Sequence, residues 1–94
     1  MKEKQFFVIV FQIGGEVFVD YGWEFSEAQF VRDVHYRVEH PKKYPKYRGL
    51  PTARFFNYEV RDITRYAEKK AKNNDVIARI VEKLRRRVGA QPVR

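Results

Sequence analysis

Residues 5–12 are apolar at nearly every position: Phe6, Phe7, Val8, Ile9, Val10 and Phe11 follow one another without a polar break. Aromatic and β-branched residues pack well on a pleated surface, so the run predicts a strand. Gly14-Gly15 follows and suits a two-residue hairpin turn that needs a positive φ. A turn between Ile13 and Glu16 sets the register of a second strand: Gln12 faces Val17, Val10 faces Val19, Val8 faces Tyr21 and Phe6 faces Trp23. Side chains alternate across a strand, so these residues form one nearly all-apolar face, expected to be the core side. The opposite face carries Phe7, Ile9, Phe11, Ile13 and Phe18, diluted by Glu16 and Asp20. A surface that apolar needs a cover. Three covers are open: a helix of the same chain, a second copy of the chain docking on Phe7, Ile9, Phe11 and Phe18 as a homodimer, or bases stacked on the aromatic rings. The two carboxylates argue against the third.

The period then changes. Ser26 and Gln29 have capping-box spacing, and Phe25 and Phe30 stand at the two staple positions around them. A helix is expected to start at Ser26, with Phe30, Val31, Val34 and Val38 as its apolar stripe. Asp33 and Arg37 are placed to pair at i, i+4, and Pro41 stops the helix.

Residues 54–60 fit both periods. Aromatic content and a cap at Asp62 favour a strand, with Phe56, Tyr58 and Val60 facing the core and Phe55, Asn57 and Glu59 facing out. From Ile63 the pattern is helical, with Ile63, Tyr66, Ala67 and Ala71 inward. Asn73-Asn74-Asp75 ends that helix and caps another from about Asp75 to Val88. Its stripe is Val76, Ile77, Ile80, Val81, Leu84 and Val88, and Gly89 terminates it.

The fold class is therefore α+β: an N-terminal β-hairpin, extended to a three-stranded antiparallel sheet, packed with one central helix and two basic C-terminal helices. Residues 1–90 form a single domain and 91–94 a frayed tail.

Composition changes this picture in two ways. The chain of 94 residues holds no cysteine, which removes disulfides, thiol chemistry and Cys-based zinc sites and fits a cytoplasmic location. Charge is unevenly divided. Residues 1–40 carry four Lys/Arg against seven Asp/Glu, a net of −3, while residues 41–94 carry sixteen against five, a net of +11. That asymmetry calls for a polyanionic partner: nucleic acid, DNA or RNA, or else an acidic protein surface. No run approaches the about 20 apolar residues needed to cross a membrane, so none is expected as a partner. The Phe6–Phe11 run is too short, and too soon followed by Gly14-Gly15 and Glu16, to be a leader.

The joint between the two charge regimes is Pro41 to Pro51. It repeats Lys43-Tyr44-Pro45 as Lys46-Tyr47-Arg48, and its prolines favour an extended, polyproline-like path with about three residues per turn. On that path Tyr44 and Tyr47 share one side, so they could stack bases while Lys42, Lys43, Lys46 and Arg48 hold phosphates. The alternative is a connector whose tyrosines pack on the domain. Arg61, Arg65, Lys69 and Lys72 share one outer helix face, and Arg79, Lys83, Arg86 and Arg87 crowd another. Together with the loop they read as one basic surface of a nucleic-acid-binding protein.

Chemistry is harder to find. Phosphate loops, nucleophile elbows and zinc helices are missing. His35 and His40 stand five apart and do not share a helix face, so no metal or other cofactor is expected. The chain is read as a non-enzyme. The competing readings are an inhibitor-like protein that docks on an acidic surface, and a metal-independent ribonuclease using His40, Tyr44, Tyr47 and Arg48.

Overall fold

The computed structural model describes residues 3–50, 55–67 and 74–91. The chain runs β1 (Gln5–Ile13), β2 (Glu16–Glu24), α1 (Glu27–Glu39), a 3-10 turn (Pro45–Tyr47), β3 (Phe56–Asp62), α2 (Thr64–Ala67) and α3 (Asn74–Gly89). The sheet is three-stranded and antiparallel, in the order β2-β1-β3.

β1 takes the centre because it is apolar on both sides, and every residue from Phe7 to Ile13 is buried. It pairs with β2 in the register set by the Gly14-Gly15 turn, including Gln12 with Val17, Val8 with Tyr21 and Phe6 with Trp23. Gly14 supplies the positive φ, 59°. Both β2 and β3 run antiparallel to β1, so α1 connects two strands that are parallel to each other across the central one.

Each face of β1 has its own core. Phe7, Ile9, Phe11 and Ile13 pack with Phe30, Val34 and Val38 of α1, and with Tyr47 and Phe55. Val8 and Val10 pack with Ile63 and with Leu84 and Val88 of α3. Alternate residues of one strand point to opposite sides, so the sheet lies between two helical layers. Of the three covers considered for Phe7, Ile9, Phe11 and Phe18, the structure supplies a helix of the same chain. Phe7, Ile9 and Phe11 are buried within the protein and Phe18 packs half-buried against them, so these rings are not open to a second copy or to bases.

α1 begins as its capping pattern dictates. The Ser26 hydroxyl accepts from the Gln29 amide at 3.2 Å and donates toward Gln29 Oε1 at 3.4 Å. Phe30 is fully buried, whereas Phe25 is exposed and carries Lys4 Nζ 5.3 Å above its ring. Gly22 lets the helix come close: a Cβ there would meet the Phe30 ring and an Arg37 nitrogen, both at 3.1 Å.

β3 is a strand, but its phase differs from the expected one. Asn57 and Tyr58 together stand opposite Phe11, a bulge between the pairs Val10–Glu59 and Gln12–Phe56. Asn57 has φ 55°, a region that Asn tolerates better than most residues. Its amide nitrogen also donates to Gln12 Oε1 at 2.9 Å, serving a buried polar group. The extra residue turns the strand over. Phe55, expected outward, is 4% exposed, and Tyr58, expected inward, is 45% exposed. The side chain of Phe56 lies outside the described residues. Asp62 caps the next turn as expected, accepting from the Thr64 amide at 2.9 Å. Ala71, assigned to the helix after Ile63, and residues 92–94 of the expected tail also fall outside the described residues.

Candidate functional site

The Pro41–Pro51 joint does not take an extended path over its described part. The amides of Lys43 and Tyr44 both donate to the His40 carbonyl at 3.1 Å, and Tyr47 N and Arg48 N bond back to Tyr44 O and Pro45 O at 3.0 Å. Pro45 opens the 3-10 turn, where its missing donor matters least. The turn delivers Tyr47 into the core beneath α1, 1% exposed, with its ring centroid 6.1 Å from those of both Phe11 and Phe18. The Tyr47 hydroxyl donates to Asp20, and Lys46 Nζ donates to the Val19 carbonyl. Burial first, and then the bond to Asp20, push the Tyr47 hydroxyl pKa far above its ordinary value, so it remains a donor.

The expectation of Tyr44 and Tyr47 as a stacking pair is corrected accordingly. Burying the Tyr47 ring while satisfying its hydroxyl favours the folded-back turn over a solvated extended path. Tyr44 packs half-buried on the same core. Lys42, Lys43 and Arg48 keep exposed side chains.

Asp20 anchors this region. Its carboxylate accepts from the Tyr21 amide at 2.8 Å and pairs with Arg37 at 3.2 Å. Arg37 also donates to the Tyr21 carbonyl at 3.0 Å. Arg37 thus joins α1 to β2 through Asp20, in place of the expected pair with Asp33 on its own helix. A concave site of about 260 Å³ opens beside Asp20, Arg37, Tyr44 and Tyr47. A second, of about 390 Å³, is walled by Tyr36, His40 and Lys42. His40 stacks on Tyr36 at 3.9 Å, and its Nδ1 lies 2.7 Å from the Tyr36 carbonyl. The four residues named for a ribonuclease are therefore divided: His40 lines one concavity, Tyr44 and Tyr47 line the other, and Arg48 lines neither. His35 stacks on Phe55 at 3.9 Å. Among the described residues, no group of three or more His, Asp and Glu could hold a metal ion.

The other basic residues lie on the far side of the sheet. Arg61 pairs with Val8 in register and so points toward α3. Arg65 is exposed on α2 and lies 5.4 Å from the Tyr66 ring centroid. Arg79, Lys83, Arg86 and Arg87 are exposed on α3, as is Arg85. Arg87 meets Glu59 of β3 at 2.8 Å, and Arg86 pairs with Glu82 at 3.4 Å. Among the described residues, Arg79, Lys83 and Arg85 make no ion pair. Lys69 and Lys72 lie outside the described residues. The single basic surface expected from the sequence is thus divided by the sheet, with the loop in the α1 layer and these residues in the α3 layer.

One feature of the α3 layer was absent from the sequence reading. Phe6, Tyr21 and Trp23 were assigned to the core side, and they do face α3. Yet Tyr21 is 38% exposed and Trp23 47% exposed. Phe6 lies between them, 5.9 Å and nearly parallel to Tyr21 and 4.9 Å from Trp23. A concavity of about 380 Å³ separates Phe6 and Tyr21 from Asn74, Ile77 and Ala78 at the start of α3. The signal was one of length. The stripe from Ile77 to Val88 spans about 17 Å at about 1.5 Å per residue, whereas a strand the length of β2 extends about 30 Å.

No protein-family profile, curated protein or solved structure matches this chain. No helix among the described residues is long and apolar enough to cross a membrane.

Proposed function

We propose that the protein is a small nucleic-acid-binding module that contacts phosphates through the outer face of α3, with Arg61 and Arg65 beside it. One observation carries this reading: Arg79, Lys83 and Arg85 stand exposed on one helix with no carboxylate partner among the described residues. Arg79 and Lys83 are like charges at i, i+4, a spacing that destabilises a helix by about 0.2–0.5 kcal/mol per pair, so their placement is better explained by a polyanion than by stability. The Arg87–Glu59 pair ties the helix to β3, so the cations are presented on a supported surface. The loop cations Lys42, Lys43 and Arg48 add long-range attraction from the opposite layer.

Binding of labelled duplex and single strands across a salt series tests the reading. Three phosphate contacts give a slope of about −2 to −3 in log affinity against log salt. Reversing Arg79 and Lys83 to Glu makes that slope shallower by nearly two contacts. Flat salt dependence, or no binding at low salt, overturns the proposal and leaves an acidic protein surface as the partner to be sought by pull-down after nuclease treatment.

A further inference from the structure

β2 lies at one edge of the sheet, paired with β1 on one side only. Its composition makes that edge adhesive. Val17, Phe18, Val19, Tyr21 and Trp23 all suit a strand, and a free strand edge is a template for pairing with another chain. The two-residue turn makes Ile13–Glu16 a hydrogen-bonded pair, and such pairs alternate along an antiparallel ladder. Val17, Val19, Tyr21 and Trp23 therefore direct their backbone groups away from β1. The middle of that row is already taken. Lys46 Nζ donates to the Val19 carbonyl. Arg37 donates to the Tyr21 carbonyl at 3.0 Å, and the Tyr21 amide donates to Asp20 at 2.8 Å. These side chains come from α1, the 3-10 turn and β2 itself, and they hold one another in place. Asp20 pairs with Arg37 and accepts from the Tyr47 hydroxyl. The Arg37 and Asp20 side chains are only 22% and 16% exposed, so water competes little for them. Gly22 leaves room for Arg37 on the edge, since a Cβ there would meet its guanidinium at 3.1 Å.

We infer that Lys46, Arg37 and Asp20 lock the free edge of β2 against antiparallel pairing with a second copy of this chain. Such pairing is isologous, so the strand would otherwise serve as its own partner. An incoming strand needs the outward groups of Val19 and Tyr21. Taking them breaks the three side-chain bonds and, with them, the Asp20–Arg37 pair. The lock is independent of the nucleic-acid reading. It gives the second half of the Lys43–Arg48 repeat a use that charge alone does not: Pro45 opens a turn that sets Tyr47 in the core and Lys46 on the edge.

The test compares the double variant Arg37→Met/Lys46→Met with the wild type by sedimentation velocity over a concentration series. Methionine keeps an unbranched stem and removes the donors. The expected result is that the variant's apparent mass rises from one chain toward two, while the wild type's does not, and that exchange of its Val19 and Tyr21 amides slows as it associates. Lys42→Met/Arg48→Met removes the same two charges from exposed loop positions and is expected to follow the wild type. The inference is overturned if the double variant follows the wild-type curve, or if the loop variant associates to the same extent, which would make net charge the cause. It is also overturned if the wild type itself associates with slowed Val19 and Tyr21 exchange. Should the double variant fail to fold, Lys46→Met decides by the same readings, because Lys46 is exposed and its loss leaves the Asp20–Arg37 pair in place.

Discussion

On the α1 side of the sheet, Phe7, Ile9 and Phe11 of β1 meet three covers: the α1 stripe, Tyr47 from the 3-10 turn and Phe55 from the start of β3. On the α3 side, Val8 and Val10 meet the α3 stripe and Ile63, while Tyr21 and Trp23 at the far end remain partly open. Both faces come from one hairpin with similar apolar content. The difference lies in what arrives to cover them. Several short contributions from distant parts of the chain close a face more completely than one straight helix, whose apolar stripe is shorter than the strands beneath it. The closed face holds the fold. The incompletely covered one leaves Tyr21 and Trp23 partly at its surface.

The sharpest way to break this contrast is to truncate one ring on each face. Phe11→Ala, at a fully buried position, is expected to lower stability by about 3–5 kcal/mol, a large share of the about 5–15 kcal/mol typical of a whole domain. Trp23→Leu, at a half-exposed position, is expected to change it by less than about 1 kcal/mol. Urea denaturation of the two variants measures both, and similar losses would mean that the faces are equally closed. A smaller effect is expected from Tyr47→Phe, which keeps the ring and removes the donor to Asp20. The loss is about 1–2 kcal/mol, because Asp20 keeps Arg37 and the Tyr21 amide. A neutral result would show that packing alone holds the turn in the α1 layer.

The smallest effect concerns pH. Partial burial, then the hydrogen bond and charge of Glu24, raise the Asp33 carboxyl pKa; the bond from Asp33, then the Phe25 amide, lower that of Glu24. The raised group contributes stability that is present below the ordinary aspartate value and lost as pH rises through its folded pKa. The lowered group contributes stability that is present above the ordinary glutamate value and lost as pH falls through its own. Asp33→Asn keeps a neutral donor beside Glu24, so thermal melts are expected to favour the variant increasingly from acid toward neutral pH. An unchanged difference across that range would refute the raised Asp33 pKa.

Much of the fold was legible because its determinants are local. A Gly-Gly turn sets hairpin register, Ser26 with Gln29 starts a helix, Pro41 ends it and Asp62 caps the turn that follows. β3 shows where local reading stops. Its strand character follows from composition, but its phase depends on a bulge at Asn57, and Asn is also common in ordinary loops. The site was legible only as charge. A count of cations treats Lys46 and Lys83 alike, yet Lys46 is tied to the Val19 carbonyl while Lys83 makes no ion pair among the described residues. Tyr47 and Trp23 changed roles, the first from expected ligand contact to core and the second from expected core to surface.

The order of residues by itself determined the α+β class, the hairpin pairing, the ends of α1 and the basic character of the second half of the chain. All of these follow from alternation, capping and composition within a few residues. Tertiary structure alone decided that Tyr47 reaches Asp20, 27 residues away, that the sheet separates the loop cations from those of α3, and that α3 leaves Trp23 open. Each of these depends on where remote elements meet, and so on packing across the sheet rather than on any pattern along the chain.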